Sequence, residues 1–184
     1  MRILGLSGSL RRDSHNTRLL RTTARHLPGH VELELWDGLA GIPPYDADRE
    51  AGEPTPPAVA DLNRAIAAAD AVLISTPEYN ASIPGVLKNA LDWVSRPIES
   101  TPLRDKPAAV IGATTGMFGA VWAQAETRKV LRTIGARVLE HEVPVALADD
   151  AFHEDGALRD RELAAQLEEL LEALVDAAGA PVAA

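Results

Sequence analysis

"ILGLSGSLRRDSHNTRLL", residues 3–20, passes from an apolar run through glycine, hydroxyls, two adjacent arginines and an asparagine into a helical pattern. A short, continuously apolar run reads as a strand covered on both faces, and a polar loop leading from it into a helix opens a βα unit. The unit recurs. Strand patterns at 2–7, 31–36, 71–76, 108–113 and 137–143 alternate with helical ones at 16–27, 58–69, 84–95, 119–134 and 158–177. The last helix carries Leu163, Leu167, Leu170, Leu171 and Leu174 at three- and four-residue spacing. Such alternation predicts an α/β domain around a parallel sheet. "ILGL", "AVLI" and "AAVI" are apolar throughout and belong inside the sheet, whereas "VELELW" and "RVLEHEV" alternate with charges as edge strands do. With right-handed crossovers the simplest strand order is 2-1-3-4-5.

The chain has 184 residues and is 46% hydrophobic, which suits one domain spanning 1–184. Its only long irregular stretch, 37–57, is rich in proline and glycine and reads as a surface excursion. No apolar run approaches the roughly 20 residues of a membrane span, and "MRILGLSGSL" is too brief and too broken for a signal peptide, so the expected address is the cytoplasm. There is no cysteine, so thiol nucleophiles, disulfides and cysteine zinc sites are excluded, and redox work would need a bound cofactor. The net charge of −9 argues against a nucleic-acid surface. Residues 1–30 nevertheless carry Arg2, Arg11, Arg12, Arg18, Arg21 and Arg25 against Asp13 alone. A cationic end on an acidic protein points to a small anionic ligand.

In the 2-1-3-4-5 order, the flavodoxin-like one, the chain reverses direction between strands 1 and 3, and ligands bind in the crevice beyond their carboxyl ends. Two loops meet there. In "SGSLRRDSHN", Gly8 permits a sharp turn, Ser9, Ser14, Asn16 and Thr17 offer donors, and Arg11 offers a planar cationic fork. The helix that follows points its free N–H groups at the same spot. Two readings stand: a cradle for a phosphate monoester, or Ser14 or Asn16 capping the helix beside solvated arginines. In "TPEYNASIPG", Pro77 and Pro84 stiffen the loop, Tyr79 offers a flat face, and Glu78, Asn80 and Ser82 add polar groups able to read the rim of a planar ring. That loop also reads as a proline turn opening a helix.

Other nucleotide and catalytic patterns fail. Neither G-x-G-x-x-G nor G-x-x-x-x-G-K-[ST] occurs, and "GLSGS" has Ser9 where a nucleophile elbow needs its last glycine. A serine hydrolase built on Ser7, Asp149 and His153 would need those residues brought together by the fold. The five histidines are scattered, without metal-ligand spacing.

"GSLRRDSHN" together with "PEYNASIPGVLKNALDWVSRP" resembles the NADPH-dependent FMN reductase family, and the similarity runs to about residue 175. The resemblance implies a flavodoxin-like three-layer sandwich with a five-stranded parallel sheet. It implies that Ser9, Arg11, Ser14, Asn16 and Thr17 cradle the FMN phosphate, that Pro77, Glu78, Tyr79, Asn80 and Ser82 line the isoalloxazine, and that Thr115 and Gly116 complete the pocket. Family members often carry a Gly-Gly pair where this chain has Gly119-Ala120. The activity implied is transfer of hydride from NAD(P)H to flavin N5 and on to a quinone, azo, flavin or oxidised-metal acceptor, with no side-chain acid or base required and no metal. The alternative is a non-enzymatic FMN-binding electron carrier or redox sensor.

The resemblance also implies a homodimer, or a tetramer of dimers, whose interface borders the isoalloxazine. In helix 84–95, Val86, Leu87, Ala90, Leu91, Trp93 and Val94 spread over about 160°, wider than the roughly 100° of one sheet-facing stripe. The flank carrying Val86 and Trp93 is therefore the expected interface, the alternative being that "PIESTPLRDK", residues 97–106, folds back over it within one chain.

Overall fold

The apolar runs become strands and stack as expected. In a computed structural model describing residues 1–180, β1 (Arg2–Ser7), β3 (Ala71–Thr76) and β4 (Pro107–Ala113) form the centre of a parallel sheet, with β2 (Glu32–Trp36) outside β1. The last four positions of the expected 1–184 domain lie outside the described residues. Register runs Ile3 to Leu33 on one side of β1 and Ile3 to Ala71 on the other, with Val72 against Ala108 beyond. Every residue of β3 and β4 is buried, while β2 exposes its glutamates. This is the burial that a doubly covered parallel sheet requires.

Helices cover both faces. Leu4, Leu6, Val72, Ile74 and Val110 pack under α3 (Pro57–Ala68), α4 (Gly85–Val94) and α5 (Val121–Ile134). Ile3, Leu73 and Ile111 pack under α1 (His15–Thr23) and α6 (Arg161–Gly179), the latter through Leu167, Leu170, Leu171 and Leu174. The order is 2-1-3-4-5, a flavodoxin-like sandwich. None of the described helices is long and apolar enough to cross a membrane.

Strand 137–143 is not continuous. In its place two short strands, β5 (Arg137–Val138) and β6 (Pro144–Val145), pair with the outer side of β4, the first at Pro107–Ala108 and the second at Gly112–Ala113. Between them Glu140 pairs with Arg132 and Glu142 with Arg128, both on α5. Leu139 and Val143 still bond β4, at the Ala108 carbonyl and the Gly112 N–H, and the ion pairs tie the residues between them to the helix.

The 37–57 excursion has structure of its own: a 3-10 turn at Gly38–Gly41 and α2 (Ala47–Gly52). Between them the chain lies across α4. Asn89 Nδ2 and Trp93 Nε1 both donate to the Pro43 carbonyl, at 2.9 and 2.8 Å, and the Tyr45 N–H donates to Asn89 Oδ1. The rings of Tyr45 and Trp93 meet edge to face at 5.1 Å. The interface expected on the Trp93 flank is thereby corrected: Trp93 is 3% exposed within one chain, covered by the excursion, and only Val86 of that flank reaches solvent.

Candidate functional site

The carboxyl ends of β1, β3 and β4 open into a cavity of about 210 Å³ lined by Ser9, Arg11, Ser14, His15, Asn16, Pro77, Glu78, Tyr79, Ala113, Thr114 and Thr115. Eight of the twelve expected site residues therefore share one space. Asn80, Ser82 and Gly116 sit in the loops around it, and Thr17 lies behind, its Oγ1 donating to Ser7 Oγ at 2.9 Å. His15, Ala113 and Thr114 join the lining without having been expected there. His15 Nε2 lies 3.1 Å from Asp149 Oδ1, a contact across 134 positions that no local pattern announces.

The first loop turns at Gly8, whose N–H donates to the Ser75 carbonyl at 2.8 Å. A Cβ there would come within 3.0 Å of Leu87 and 3.2 Å of Pro77, so glycine is what lets this loop reach the second one. Ser14 then caps α1, its Oγ accepting from the Thr17 N–H at 3.3 Å. The capping reading thus holds for Ser14. It leaves the N–H groups of His15 and Asn16 without an acceptor among the described residues, at the positive end of the helix and beside the Arg11 fork. Hydroxyls, free amides and a guanidinium with no carboxylate partner form a donor set that fits a phosphate monoester.

Asn16 is spent on the fold. It is buried, its Oδ1 accepts from Ser75 Oγ at 2.9 Å and from the Ala113 N–H at 3.0 Å, and its Nδ2 donates to the Ala113 carbonyl at 2.9 Å. One side chain thus ties α1 to β3 and β4 at the floor of the cavity.

The second loop is fastened to α5 at both ends. Glu78 Oε2 accepts from the N–H groups of Trp122 and Ala123, both at 3.1 Å, and so caps a helix whose own N-cap, Ala120, has no side chain able to do so. At the other end Glu126 Oε2 accepts from Ser82 Oγ at 2.6 Å and from the Ile83 N–H at 3.2 Å. Between these ties the chain makes a two-residue hairpin. Tyr79 and Ser82 exchange both backbone bonds at 3.1 Å, with Asn80 and Ala81 at φ of 53° and 57°. Tyr79 presents a half-exposed ring.

The facing loop after β4 turns through Gly119 and Ala120, both at φ of 60°. A Cβ on Gly119 would lie 2.3 Å from the Pro144 carbonyl carbon, so that glycine is required, while the Ala120 methyl is accommodated and fully buried.

Hydrogen bonds from the Ser82 hydroxyl and then the Ile83 N–H hold the Glu126 carboxyl below its ordinary value of 4.5. A depressed carboxyl stabilises the loop above that ordinary value, and the contribution is lost as pH falls through the lower, folded value. Exchange of the Ile83 amide with solvent deuterium is therefore expected to quicken as pH drops below 4.5, after correction for intrinsic rates. In Glu126→Ala it should be fast already at neutral pH and lose that pH dependence. Equal protection in both proteins would mean that the loop is held by something else.

The hydrolase constellation does not assemble. Asp149 pairs with His15, and Ser7 Oγ accepts from Thr17 and the Ser9 N–H with no histidine bonded to it. A larger open depression of about 580 Å³ between β6 and α6 mixes Arg159 with Asp150, Asp160 and Glu162, and has no comparable donor set.

A flavodoxin-like sheet with a donor-rich turn after its first strand and a rigid, aromatic-bearing loop after its third is the architecture of mononucleotide-binding proteins of the flavin type. Residues 1–150 match the family NADPH-dependent FMN reductase, and the chain belongs to that family. It is 42% identical over 175 residues to the NAD(P)H-dependent FMN reductase of Pseudomonas aeruginosa, covering 95% of this chain and 93% of that one. It is 39% identical over 139 residues to the quinone reductase of Escherichia coli K12, covering 76% and 73%. Among solved structures it is similar to the flavoenzyme NAD(P)H:(acceptor) oxidoreductase FerB of Paracoccus denitrificans, with a TM-score of 0.82, 36% identity and 96% of each chain covered. The chain is accordingly an FMN-dependent NAD(P)H oxidoreductase.

Proposed function

We propose that this chain reduces quinones, or acceptors of similar chemistry, at the open face beside Tyr79. The observation that carries this reading is the pairing of a phosphate donor set, Ser9, Arg11 and Ser14 with the first-turn amides of α1, with a loop bolted to α5 at Glu78 and Ser82. FMN, when bound, supplies the hydride-accepting and electron-passing chemistry. The chain's own part is to grip, orient and expose. Arg11 and the free amides neutralise the phosphate, Asn16 fixes the floor, and the Tyr79–Ser82 hairpin presents backbone groups along the rim of the ring. No carboxylate or imidazole is assigned a proton to move.

The test is an absorbance spectrum of the purified protein, then bleaching by NAD(P)H without oxygen and recovery on adding a quinone. A colourless protein that takes up no FMN from excess would defeat the proposal. Arg11→Ala is expected to weaken FMN binding roughly ten- to a hundredfold and riboflavin binding little, since a guanidinium fork meets only the phosphate. Equal losses for both ligands would place Arg11 in the fold instead.

The proposal includes one domain over 1–184 acting in the cytoplasm on small-molecule acceptors, as a homodimer or dimer of dimers. With Trp93 covered, the apolar surface offered to a second copy is the rim of the site. Met117, Phe118 and Trp122 are 77, 61 and 47% exposed, and the last two rings lie edge to face at 5.0 Å.

A further inference from the structure

One imidazole lines the flavin cavity. His15 shares that space with the titratable side chains of Arg11, Glu78 and Tyr79, and its own side chain is 17% exposed. Its Nε2 lies 3.1 Å from Oδ1 of Asp149, in the turn after β6. A carboxylate only accepts, so Nε2 carries the hydrogen of that bond. Nδ1 is then the ring atom left for a ligand, and it has no partner among the described residues.

The phosphate of a flavin mononucleotide is a dianion above its second ionisation at about pH 6. Among the lining residues only Arg11 carries a fixed positive charge. Glu78 brings a negative one, though its carboxylate is turned to the N–H groups of Trp122 and Ala123. One guanidinium leaves half of the dianion unmatched. An imidazole can match it, because it changes charge near neutrality. Neutral, with its Nε2–H on Asp149, His15 would set a lone pair at Nδ1 against the phosphate oxygens; protonated, it sets a donor there.

The groups around the ring pull in both directions. Asp149 favours the cation, but its side chain is 73% exposed, so that pair alone is worth little. Arg11 and the amino end of α1, where His15 is the first helical residue, oppose it. The remaining charges nearby look elsewhere. Arg18, one turn along α1, donates to the carbonyl of the exposed His153, Arg12 lines a cavity on the β2 side of the loop, Asp150 lines the depression beside α6, and Asp13 is exposed. A bound phosphate is the second anion that tips the balance.

We infer that His15 is the second cation of the phosphate cradle, that Asp149 is its positioning residue, and that FMN binding draws a proton from solvent onto the His15 imidazole. The inference rests on the FMN-binding reading above, and the proton stays on the ring without entering turnover. Its test is titration calorimetry of FMN into flavin-free protein at about pH 7.5, where the ligand is already a dianion, in two buffers of different ionisation enthalpy. The heats should differ by a substantial fraction of one proton per flavin, and riboflavin should bind without that difference. Binding that takes up a proton weakens as pH rises, so FMN affinity should fall about five- to tenfold between about pH 7 and pH 9. His15→Gln should abolish both the uptake and that slope, and weaken FMN about tenfold at the lower end. Asp149→Asn should move the slope to lower pH. Uptake that is absent from wild type, equal for riboflavin, or undiminished in His15→Gln would overturn the assignment. Failure to bind FMN at all would instead defeat the FMN-binding reading, whereas FMN bound without proton uptake defeats this inference alone.

Discussion

Trp93→Ala is expected to lower the stability of the folded chain by about 3–5 kcal/mol, read as a shift of the denaturant midpoint at unchanged slope. The indole is 3% exposed, stands edge to face with Tyr45, and donates from Nε1 to the Pro43 carbonyl at 2.8 Å. Truncation removes the ring that fixes the 37–57 excursion against α4 and opens a cavity that neither can collapse to fill. Trp93→Phe keeps most of the volume and loses the hydrogen bond, so its cost should be nearer 1 kcal/mol. Both losses should be independent of protein concentration, because every contact that buries Trp93 is made within one chain. A loss seen only at concentrations where copies associate would return Trp93 to an interface between them.

The same residue marks what can be learned from hydropathy. The width of the apolar arc on α4 was legible, since helical spacing alone determines it. What covers the arc was not. A proline- and glycine-rich stretch looks like solvent-facing chain, and nothing local says that Pro43 and Tyr45 will land on Asn89 and Trp93. The central strands could be placed because burial on both faces demands unbroken apolar runs, which β1, β3 and β4 have. The break between β5 and β6 was hidden. "LEHEV" alternates as an edge strand does, and its local pattern does not announce that Glu140 and Glu142 pair with Arg132 and Arg128 on the neighbouring helix.

At the site, the residue types could be read and their allegiances could not. Serine, asparagine and glutamate serve a ligand or their own backbone equally well, and the choice depends on which unsatisfied groups the fold brings near. Among the described residues no carboxylate pairs with the Arg11 guanidinium. Glu78 is claimed by the free amides of α5, and Ser82 by Glu126. Thr114 and His15 carry no local signal of their own, although each adjoins an expected residue. Their entry into the cavity depends on the side to which the loop turns.

Asn16 gives the sharpest test of that division between ligand and scaffold. Asn16→Leu keeps the volume but leaves the Ala113 N–H, the Ala113 carbonyl and the Ser75 hydroxyl without their partner, in a place where the asparagine is 2% exposed. Each buried group left unsatisfied costs about 1–3 kcal/mol, so with three of them flavin-free protein should lose at least about 3 kcal/mol. Asn16→Asp separates the two halves of the amide. It keeps the acceptor that meets Ser75 and the Ala113 N–H, and sets a carboxylate oxygen against the Ala113 carbonyl where a donor stood, so at neutral pH it should be destabilised as well. A residue serving only the flavin phosphate would behave otherwise: both variants would leave flavin-free stability unchanged and weaken FMN alone. The expected order, stability lost first and FMN affinity falling because the cavity floor has loosened, follows from Asn16 tying α1 to both β3 and β4 at that floor.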